Sequence, residues 1–140
     1  MKYVQTLEGI RPDMLKGGFF VHWPNPPTPE THFKLLQKSD WIVLALDPEV
    51  GQVVGFINAI SDHVLTAYIP LLEVLPEYQN QGIGKKLVKL MLEQLKHLYM
   101  IDLLCDKHLQ GFYEKLGMQK AHGMIIRHYE NQSGYVEEMI

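Results

Sequence analysis

A glycine-containing turn near the middle of the chain has residue types that suit phosphate binding. The turn reads Gln79-Asn80-Gln81-Gly82-Ile83-Gly84-Lys85-Lys86, with Lys89 close behind. Glycines let a ligand approach the main chain, and the free N–H groups at a helix start point the same way as the positive end of the helix dipole. The segment therefore predicts an anion site where a strand turns into a helix, although the same glycines could serve only to make the turn tight.

Two other phosphate-binding motifs do not fit these residues. A P-loop requires glycine where Gln79 stands and serine or threonine where Lys86 stands. A dinucleotide-binding fingerprint requires a third small residue where Leu87 stands, and it places an acidic residue at the end of the next strand, whereas Asp102 lies inside that predicted strand. Both motifs are therefore excluded.

Length and charge limit the class of protein. The 140 residues carry 13 Lys and Arg against 16 Asp and Glu, for a formal net charge of -3 and a pI near 6.1. At about 100–200 residues per domain, the length predicts one domain. The negative charge argues against sequence-independent nucleic-acid binding. No apolar run reaches the roughly 20 residues that cross a bilayer, so we expect no membrane insertion.

Cysteine and histidine usage argue against disulfides and metals. Cys105 is the single cysteine, so no internal disulfide can form. The start of the chain lacks the apolar core of a secretory signal, and we expect a cytoplasmic protein. The seven histidines show no His-Glu-x-x-His spacing and no Cys-x-x-Cys accompanies them, so we expect no metal site.

The amino-terminal third predicts short elements around a loop. Val4 to Leu7 is a candidate strand, Arg11 to Leu15 a short helix, and Glu30 to Gln37 a helix capped by Thr28 or Thr31. The prolines from Trp23 to Pro29 predict a loop. The aromatic residues beside that loop could wall a pocket for an amine with an apolar body or could simply pack in the core; they are Phe19, Phe20 and Trp23.

Three strands are predicted next. Trp41 to Leu46 and Val53 to Ile60 are apolar runs joined by a short turn, which predicts an antiparallel hairpin. Thr66 to Leu75 predicts a third strand, ended by Pro76.

The second half predicts helices that alternate with strands. Gly82 to Leu98 has apolar residues at helical spacing, Met100 to Cys105 is a short apolar run, and Lys107 to Leu116 is helical up to Gly117. Met118 to Tyr129 predicts a further strand. Strand, helix and strand in succession predict a crossover with parallel strands. The expected fold is α/β, with a mixed, largely antiparallel sheet flanked by helices.

Two segments flank the predicted central helix, Val74 to Gly84 and Phe112 to Met118. The first resembles the Gln/Arg-x-x-Gly-x-Gly/Ala signature of the GNAT superfamily of acetyl-CoA-dependent acetyltransferases, and the second resembles its tyrosine-bearing helix and following strand. The resemblance covers Trp41 to Tyr129. It implies a single N-acetyltransferase domain over residues 1–140 with a GNAT-like fold, in which parallel central strands splay apart.

The resemblance also implies how acetyl-CoA binds. Main-chain N–H groups would hold the pyrophosphate; they belong to Gln79, Asn80, Gln81, Gly82, Ile83, Gly84 and Lys85. Leu72 and Val74 would pair with the pantetheine arm, and the Val74 N–H would polarise the thioester carbonyl. Asn80 replaces the usual glycine, and asparagine tolerates positive φ. Asp106 stands where the family often has an asparagine bound to the cofactor, but it is equally well placed as a helix N-cap.

Two residues are candidates for proton transfer. The resemblance implies that Tyr113 is the general acid that protonates the leaving thiolate. Glu73 is the candidate general base, because strand alternation places it opposite Leu72 and Val74 and a carboxylate in an apolar strand is unusual. Its pKa would be raised if it is desolvated. A glutamate that faces water or pairs with a lysine would explain the residue equally well.

The expected reaction is direct transfer of acetyl from acetyl-CoA to a primary amine of a small molecule. Cys105, the only thiol, lies in a predicted buried strand without an evident base, so no covalent intermediate is expected. The resemblance makes a homodimer a possible assembly. The alternatives are a non-catalytic acyl-CoA sensor and a protein or peptide N-acetyltransferase.

Overall fold

A six-stranded mixed sheet organises residues 1–135, the part of the chain that this computed structural model describes. The strands are β1 (Lys2–Val4), β2 (Trp41–Asp47), β3 (Gln52–Ser61), β4 (Thr66–Tyr68), β5 (Leu72–Val74) and β6 (Met100–Asp102). The helices are α1 (Pro29–Lys38), α2 (Ile83–Leu95) and α3 (Gln110–Glu114). Short 3-10 turns cover Pro12–Leu15, Pro76–Tyr78, Lys107–Leu109 and Tyr129–Asn131.

The two long strands β2 and β3 are covered on both faces. Helix α2 packs on the face of Gly55, where an added Cβ would lie 3.1 Å from Leu87 and 3.3 Å from Ile83. Helix α1 lies on the opposite face, where the rings of Phe56 and His32 have centroids 4.3 Å apart. Successive strand residues point to opposite faces, so both strands need apolar side chains throughout. The predicted antiparallel hairpin is confirmed.

Pro70 divides the predicted third strand into two. Strand β4 pairs antiparallel with the end of β3, and β5 pairs with its middle, from Ile57↔Leu72 to Gly55↔Val74. Proline has no N–H to donate, so the ladder is interrupted between them. The buried side chain of Asn58 spans this break, since its Oδ1 accepts a bond from Leu71 N at 3.1 Å. The single strand over Thr66 to Leu75 is therefore a wrong prediction.

The crossover predicted through Lys107 to Leu116 is absent, because Met118 to Tyr129 forms no strand, but a parallel crossover is present earlier in the chain. Strands β4 and β6 are parallel, with Thr66↔Met100 and Tyr68↔Asp102 in register, and α2 connects β5 to β6. One helix-start signal is confirmed. Helix α1 is capped by Thr28, whose Oγ1 accepts a bond from Thr31 N at 3.1 Å. No helix within residues 1–135 is long and apolar enough to span a membrane.

The predicted strand from Met118 to Tyr129 is absent. Residues 118–128 contain no regular element, and the side chains from 121 to 130 are exposed. Their sequence pattern is strand-like, but no strand among the described residues pairs with them. Strand β6 therefore lies at an edge of the sheet within the described residues. The first strand is also displaced, because the register Lys2↔Leu46 places it at Lys2–Val4 and not at Val4 to Leu7.

Candidate active site

Six consecutive main-chain N–H groups, from Asn80 to Lys85, make no hydrogen bond within residues 1–135. Asn80 and Gly82 both have left-handed backbones, with φ of 63° and 81°, and the first bond of helix α2 runs from Lys86 N to Gly82 O. The turn from Gln79 to Gly82 is exposed. Successive free N–H groups at a helix start form a concave anion site. Asn80 adopts the positive φ that its residue type predicts.

A gap opens between β5 and the chain that follows β6. Strand β4 stays bonded to β6 as far as the bond from Ile69 N to Asp102 O, whereas β5 pairs only with β3 among the described strands. Beyond that bond, Leu72–Val74 and the residues after Asp102 no longer pair. The expected splay of two parallel strands is therefore present.

Leu72 and Val74 turn their main-chain polar groups into this gap. In an antiparallel ladder alternate residues bond to the neighbour, and Leu71 O and Leu75 N are the groups that bond to β3. The groups of Leu72 and Val74 therefore face the other way. The Gln79 side chain reaches Val74 from that side, with its Nε2 donating to Val74 O at 3.0 Å.

Three elements meet at Gly84. A Cβ added at Gly84 would lie 3.8 Å from Val74 Cγ2 and 3.9 Å from Phe112 Cζ. The start of α2, strand β5 and helix α3 are thus in contact, and Tyr113 is next to Phe112 in α3. The structure brings the predicted phosphate turn, the predicted thioester strand and the predicted acid into one region.

Tyr113 is buried, with 9% of its surface exposed, and it lines a cavity of about 550 Å³ together with Cys105. Burial raises the pKa of Tyr113 to about 12, and the neighbouring Cys105 thiol adds to the shift. The phenol is therefore protonated throughout the neutral range. The hydroxyl lies beside a cavity that a substrate could enter, and it carries a proton at neutral pH, so it can act as a proton donor.

Asp106 is exposed and stands directly before the turn Lys107–Leu109. Its carbonyl oxygen accepts a bond from Leu109 N at 2.9 Å, but its carboxylate makes no capping hydrogen bond. Asp106 therefore occupies the N-cap position, but its side chain accepts no hydrogen bond from the main chain of the turn. The carboxylate is left facing solvent.

Glu73 is bonded across the sheet to the loop before α1. Its Oε1 accepts a bond from Phe20 N at 2.7 Å, and Phe20 has a φ of 63°. Burial raises the pKa of Glu73, while the Phe20 N–H and the nearby His22 oppose that shift. The glutamate is half-buried and bonded to an amide, so the simple alternative of a water-facing or lysine-paired residue is wrong. The partner lies 53 positions away, and no sequence signal marks it.

A small recess lies beside this contact. It has a volume of about 150 Å³ and is lined by Phe19, Phe20 and His32, among other residues. Phe19 and Phe20 also pack against Phe56, so they serve both the core and the recess. Trp23 packs on Phe20 with ring centroids 4.8 Å apart. The sequence reasoning did not single out His32, although its spacing from Leu36 places both on the buried face of α1.

Another unpredicted contact fixes the turn before the anion site. Tyr78 Oη donates to Asp47 Oδ2 at 2.7 Å, which ties the turn Pro76–Tyr78 to the end of β2. The hydrogen bond to Asp47 raises the pKa of Tyr78. Within residues 1–135, no three His, Cys, Asp or Glu side chains are grouped so that they could hold a metal ion.

Comparison with known proteins places this arrangement in a family. The model of the acetyltransferase (GNAT) family matches residues 12–118. The chain belongs to the GNAT acetyltransferase family. A candidate acetyltransferase of Deinococcus radiodurans R1 has a crystal structure that is 47% identical, covers 97% of this chain and 94% of that chain, and superimposes with a TM-score of 0.92. The resemblance carried by the two motifs is therefore confirmed, as is the mixed α/β fold.

Curated relatives are longer proteins. GCN5-related N-acetyltransferase 3, chloroplastic, of Arabidopsis thaliana is 42% identical over 74 residues, which are 51% of this chain and 31% of the relative. Histone acetyltransferase TAP1 of Glycine max is 31% identical over 111 residues, which are 71% of this chain and 47% of the relative. The chain thus spans less than half the length of each of these two relatives.

Proposed function

We propose that this GNAT protein transfers acetyl from acetyl-CoA directly to a primary amine of a small molecule. One observation carries the proposal: six free N–H groups, from Asn80 to Lys85, lie at the end of a gap into which Leu72 and Val74 turn their main chain. An elongated substrate with a diphosphate at one end and amide groups along its arm fits that combination. Lys85 and Lys86 are exposed beside the turn and supply positive charge.

The strand edge would hold the arm and polarise the thioester. The main-chain groups of Leu72 and Val74 would pair with the pantetheine amides in the manner of an added strand. The Gln79 side chain, now bonded to Val74 O at 3.0 Å, would give up that bond to the substrate. The Val74 N–H would then stabilise the oxyanion that forms when the amine attacks, an effect of about 10²–10³ in rate for one such donor.

Tyr113 would complete the reaction by protonating sulfur. The amine nitrogen bonds to the carbonyl carbon, the carbon–sulfur bond breaks, and the thiolate takes the phenolic proton. With a pKa of about 12, Tyr113 always has that proton to give at neutral pH. The resulting phenolate recovers a proton from solvent as CoA leaves.

Glu73 would take the proton from the incoming ammonium group. Its raised pKa brings the carboxylate closer to the range in which a general base is effective. Phe20 connects this carboxylate to the recess of about 150 Å³, because its N–H bonds to Glu73 and its side chain lines the recess. A recess of that size suits the apolar body of a small amine.

Tyr113→Phe tests the enzymatic assignment against a non-catalytic acyl-CoA sensor. We expect turnover of acetyl-CoA with a reactive amine to fall about 10²–10⁴-fold, with CoA affinity unchanged by calorimetry. Tyr99→Phe is the matched control, because Tyr99 is 82% exposed and should leave both quantities intact. If the protein binds acetyl-CoA but turns over no amine in a broad panel, and Tyr113→Phe changes nothing, the sensor is correct.

Glu73→Gln tests the base. The carboxylate must be ionised to accept a proton, so kcat/KM of the native enzyme should fall as pH drops through its raised pKa. Glutamine keeps an oxygen that can accept from Phe20 N, so the loop should stay in place and CoA binding should not change. We expect kcat/KM at neutral pH to fall by about 10² or more and the acid limb to disappear. A native rate and pH profile in the variant would remove Glu73 from the mechanism.

Protein or peptide acetylation is the second candidate, favoured by the similarity to Histone acetyltransferase TAP1 of Glycine max. The two acceptor classes are separated by comparing kcat/KM for small primary amines with that for lysine-containing peptides. We expect small amines with apolar bodies to react faster. Faster reaction of peptides would replace the small-molecule assignment while leaving the acetyl-CoA site intact.

A further inference from the structure

The small recess beside Glu73 is lined by a histidine whose buried nitrogen has no partner. His32 has 1% of its surface exposed, and its Nε2 makes no hydrogen bond within residues 1–135. Buried polar side-chain atoms nearly always have a partner, so each exception requires an explanation. The rings around His32 belong to Phe19, Phe20 and Phe56 and offer none. A polar group bound in the recess could supply the missing partner.

The size and lining of the recess suit a single apolar ring. Its volume is about 150 Å³, and its lining includes the apolar side chains of Leu15, Phe19 and Pro27. Apolar cavities of roughly this volume hold one benzene ring. Lys16 and Gly18 also line the recess, and both are exposed. The recess therefore opens to solvent on their side, and a ring can enter there.

Phe20 connects the recess to the proposed base. Its φ of 63° lies in the left-handed region, which bulky side chains rarely adopt. The bond of 2.7 Å from its N–H to Glu73 Oε1 stabilises this conformation. Its ring lines the recess, and the centroids of the Phe20 and His32 rings are 5.0 Å apart. Strained backbone of this kind is concentrated at ligand-binding and active sites.

The charge state of His32 limits the polar group that the ring can carry. Burial lowers the pKa of His32 to about 4, so its imidazole is neutral near pH 7. Its Nε2 then donates or accepts a hydrogen bond, according to the tautomer. A hydroxyl group fits both tautomers, because it can donate and accept. An ammonium group is disfavoured by the cation of Lys16 in the lining, and a carboxylate would lose its hydration among phenyl rings.

We propose that the recess is an acceptor subsite for a hydroxylated ring and that His32 Nε2 recognises the hydroxyl group. The inference rests on the proposed acetyl transfer to a small amine, and it names the acceptor class as primary amines whose apolar ring carries a hydroxyl group. The ring would fill the recess, and the amine would lie at Glu73, which precedes Val74 in β5.

His32 would thereby determine specificity without taking part in proton transfer. An acceptor without the hydroxyl group leaves the Nε2 atom unpaired when the ring excludes water from the recess. Sites with a buried polar group discriminate against analogues that cannot pair with it.

The first test measures ring binding without catalysis. p-Cresol and toluene differ by one hydroxyl group, and neither carries an amine. We expect p-cresol to bind the native protein at least about tenfold more tightly than toluene and to shift the His32 Nε2 resonance in nitrogen-15 spectra. The exposed His122 is the internal control and should not respond. Equal affinity for the two compounds, or no response of His32 at millimolar p-cresol, would overturn the proposal.

The second test measures acceptor preference at saturating acetyl-CoA. We expect kcat/KM for tyramine to exceed that for phenethylamine at least about tenfold. His32→Phe keeps an aromatic ring but removes the nitrogen, so the ratio should fall to about one while phenethylamine reacts as before. His122→Asn is the matched control and should keep the native ratio. A native ratio of one, or a ratio that His32→Phe leaves unchanged, would contradict the proposal.

The two tests distinguish this inference from the proposed function. Acetylation of both amines without a preference for the hydroxyl group would overturn the subsite and leave acetyl transfer intact. If p-cresol binds at His32 but a broad panel of amines is not acetylated, acetyl transfer and the acceptor role are overturned, whereas recognition of the hydroxyl group by His32 is supported. The binding test uses the native protein alone, so it decides this point even if His32→Phe does not fold.

Discussion

His32 is a buried histidine enclosed by three phenylalanine rings. Its ring centroid lies 5.2 Å from that of Phe19, 5.0 Å from that of Phe20 and 4.3 Å from that of Phe56, and its Nε2 makes no hydrogen bond within residues 1–135. An imidazolium ion at this position would lose its hydration without gaining a partner. Burial therefore lowers the pKa of His32 from 6.5 to about 4. The side chain is neutral at physiological pH and acts as an aromatic core residue.

This pKa makes folding stability sensitive to acid. The unfolded chain takes up a proton at His32 near pH 6.5, whereas the folded chain does so only near pH 4. The contribution of His32 is therefore complete above pH 6.5 and is lost as pH falls toward 4, by about 3 kcal/mol in total. His32→Phe should remove this loss. The measurement is urea unfolding of both proteins between pH 7 and 4.5.

A control histidine separates this effect from general acid sensitivity. His122 is exposed, so His122→Asn should leave the pH dependence of unfolding unchanged. If His32→Phe retains the full native pH dependence, His32 does not carry the acid sensitivity.

Residue types predict local backbone conformation better than they predict contacts between distant parts of the chain. Asn80 and Gly82 can be assigned to a phosphate turn from the sequence, because few other residues adopt their positive φ at low cost. The hydrogen bond from Phe20 N to Glu73 cannot be predicted from the sequence. It joins residues 53 positions apart, and the turn that brings them together is defined only by the fold. Glu73 is a candidate base because it is a carboxylate in an apolar strand. Its sequence neighbours do not indicate which amide forms a hydrogen bond with it.

At the scale of elements, helix α2 follows the N-cap residue Gly82, whose left-handed backbone few residue types adopt at low cost. Gly82 has a φ of 81°, and apart from its two chain neighbours no atom of residues 1–135 lies within 4 Å of a Cβ added there, so the cost of Gly82→Ala is one of backbone strain. We expect a loss of about 1–2 kcal/mol in unfolding free energy. CoA affinity should fall at least tenfold, because the N–H groups of the turn change direction. Denaturant unfolding and calorimetry measure the two effects.

Gly111→Ala is the matched control within α3. Apart from its chain neighbours and the backbone of its own helix, no atom of the described residues lies within 4 Å of a Cβ added at Gly111, and Gly111 has no positive φ, so alanine should stabilise the helix by about 0.5–1 kcal/mol. Equal effects of the two substitutions on stability and CoA affinity would mean that the left-handed backbone of Gly82 is not required.

Elements with strong hydrophobic periodicity can be predicted from the sequence, whereas the pairing of strands at the sheet edges cannot. The hairpin of β2 and β3 and the helix α2 bury nearly continuous or regularly spaced apolar residues, so local pattern and tertiary packing agree. The run from Thr66 to Leu75 is apolar enough to suggest one strand, but Pro70 interrupts its ladder. Residues 118–128 have a strand pattern, but no strand within residues 1–135 pairs with them, and sequence periodicity does not reveal which edge a strand will meet.

At the scale of the whole molecule, the sheet brings distant parts of the chain to one gap. The crossover from β5 through α2 to β6 places the phosphate turn at the end of the splayed strands, and α3 returns Tyr113 to the same region. Their order in the chain was predictable from two motifs. The glycine at position 55 lets α2 approach β3 closely.

The central claim is that the N–H groups from Asn80 to Lys85 receive the diphosphate of acetyl-CoA. Amide spectra of the nitrogen-15-labelled protein during titration with CoA test it most directly. The account predicts that the largest shifts arise from residues 79–85, with smaller shifts at Leu72 and Val74. Largest shifts in any other segment, or no shift at millimolar CoA, would contradict it.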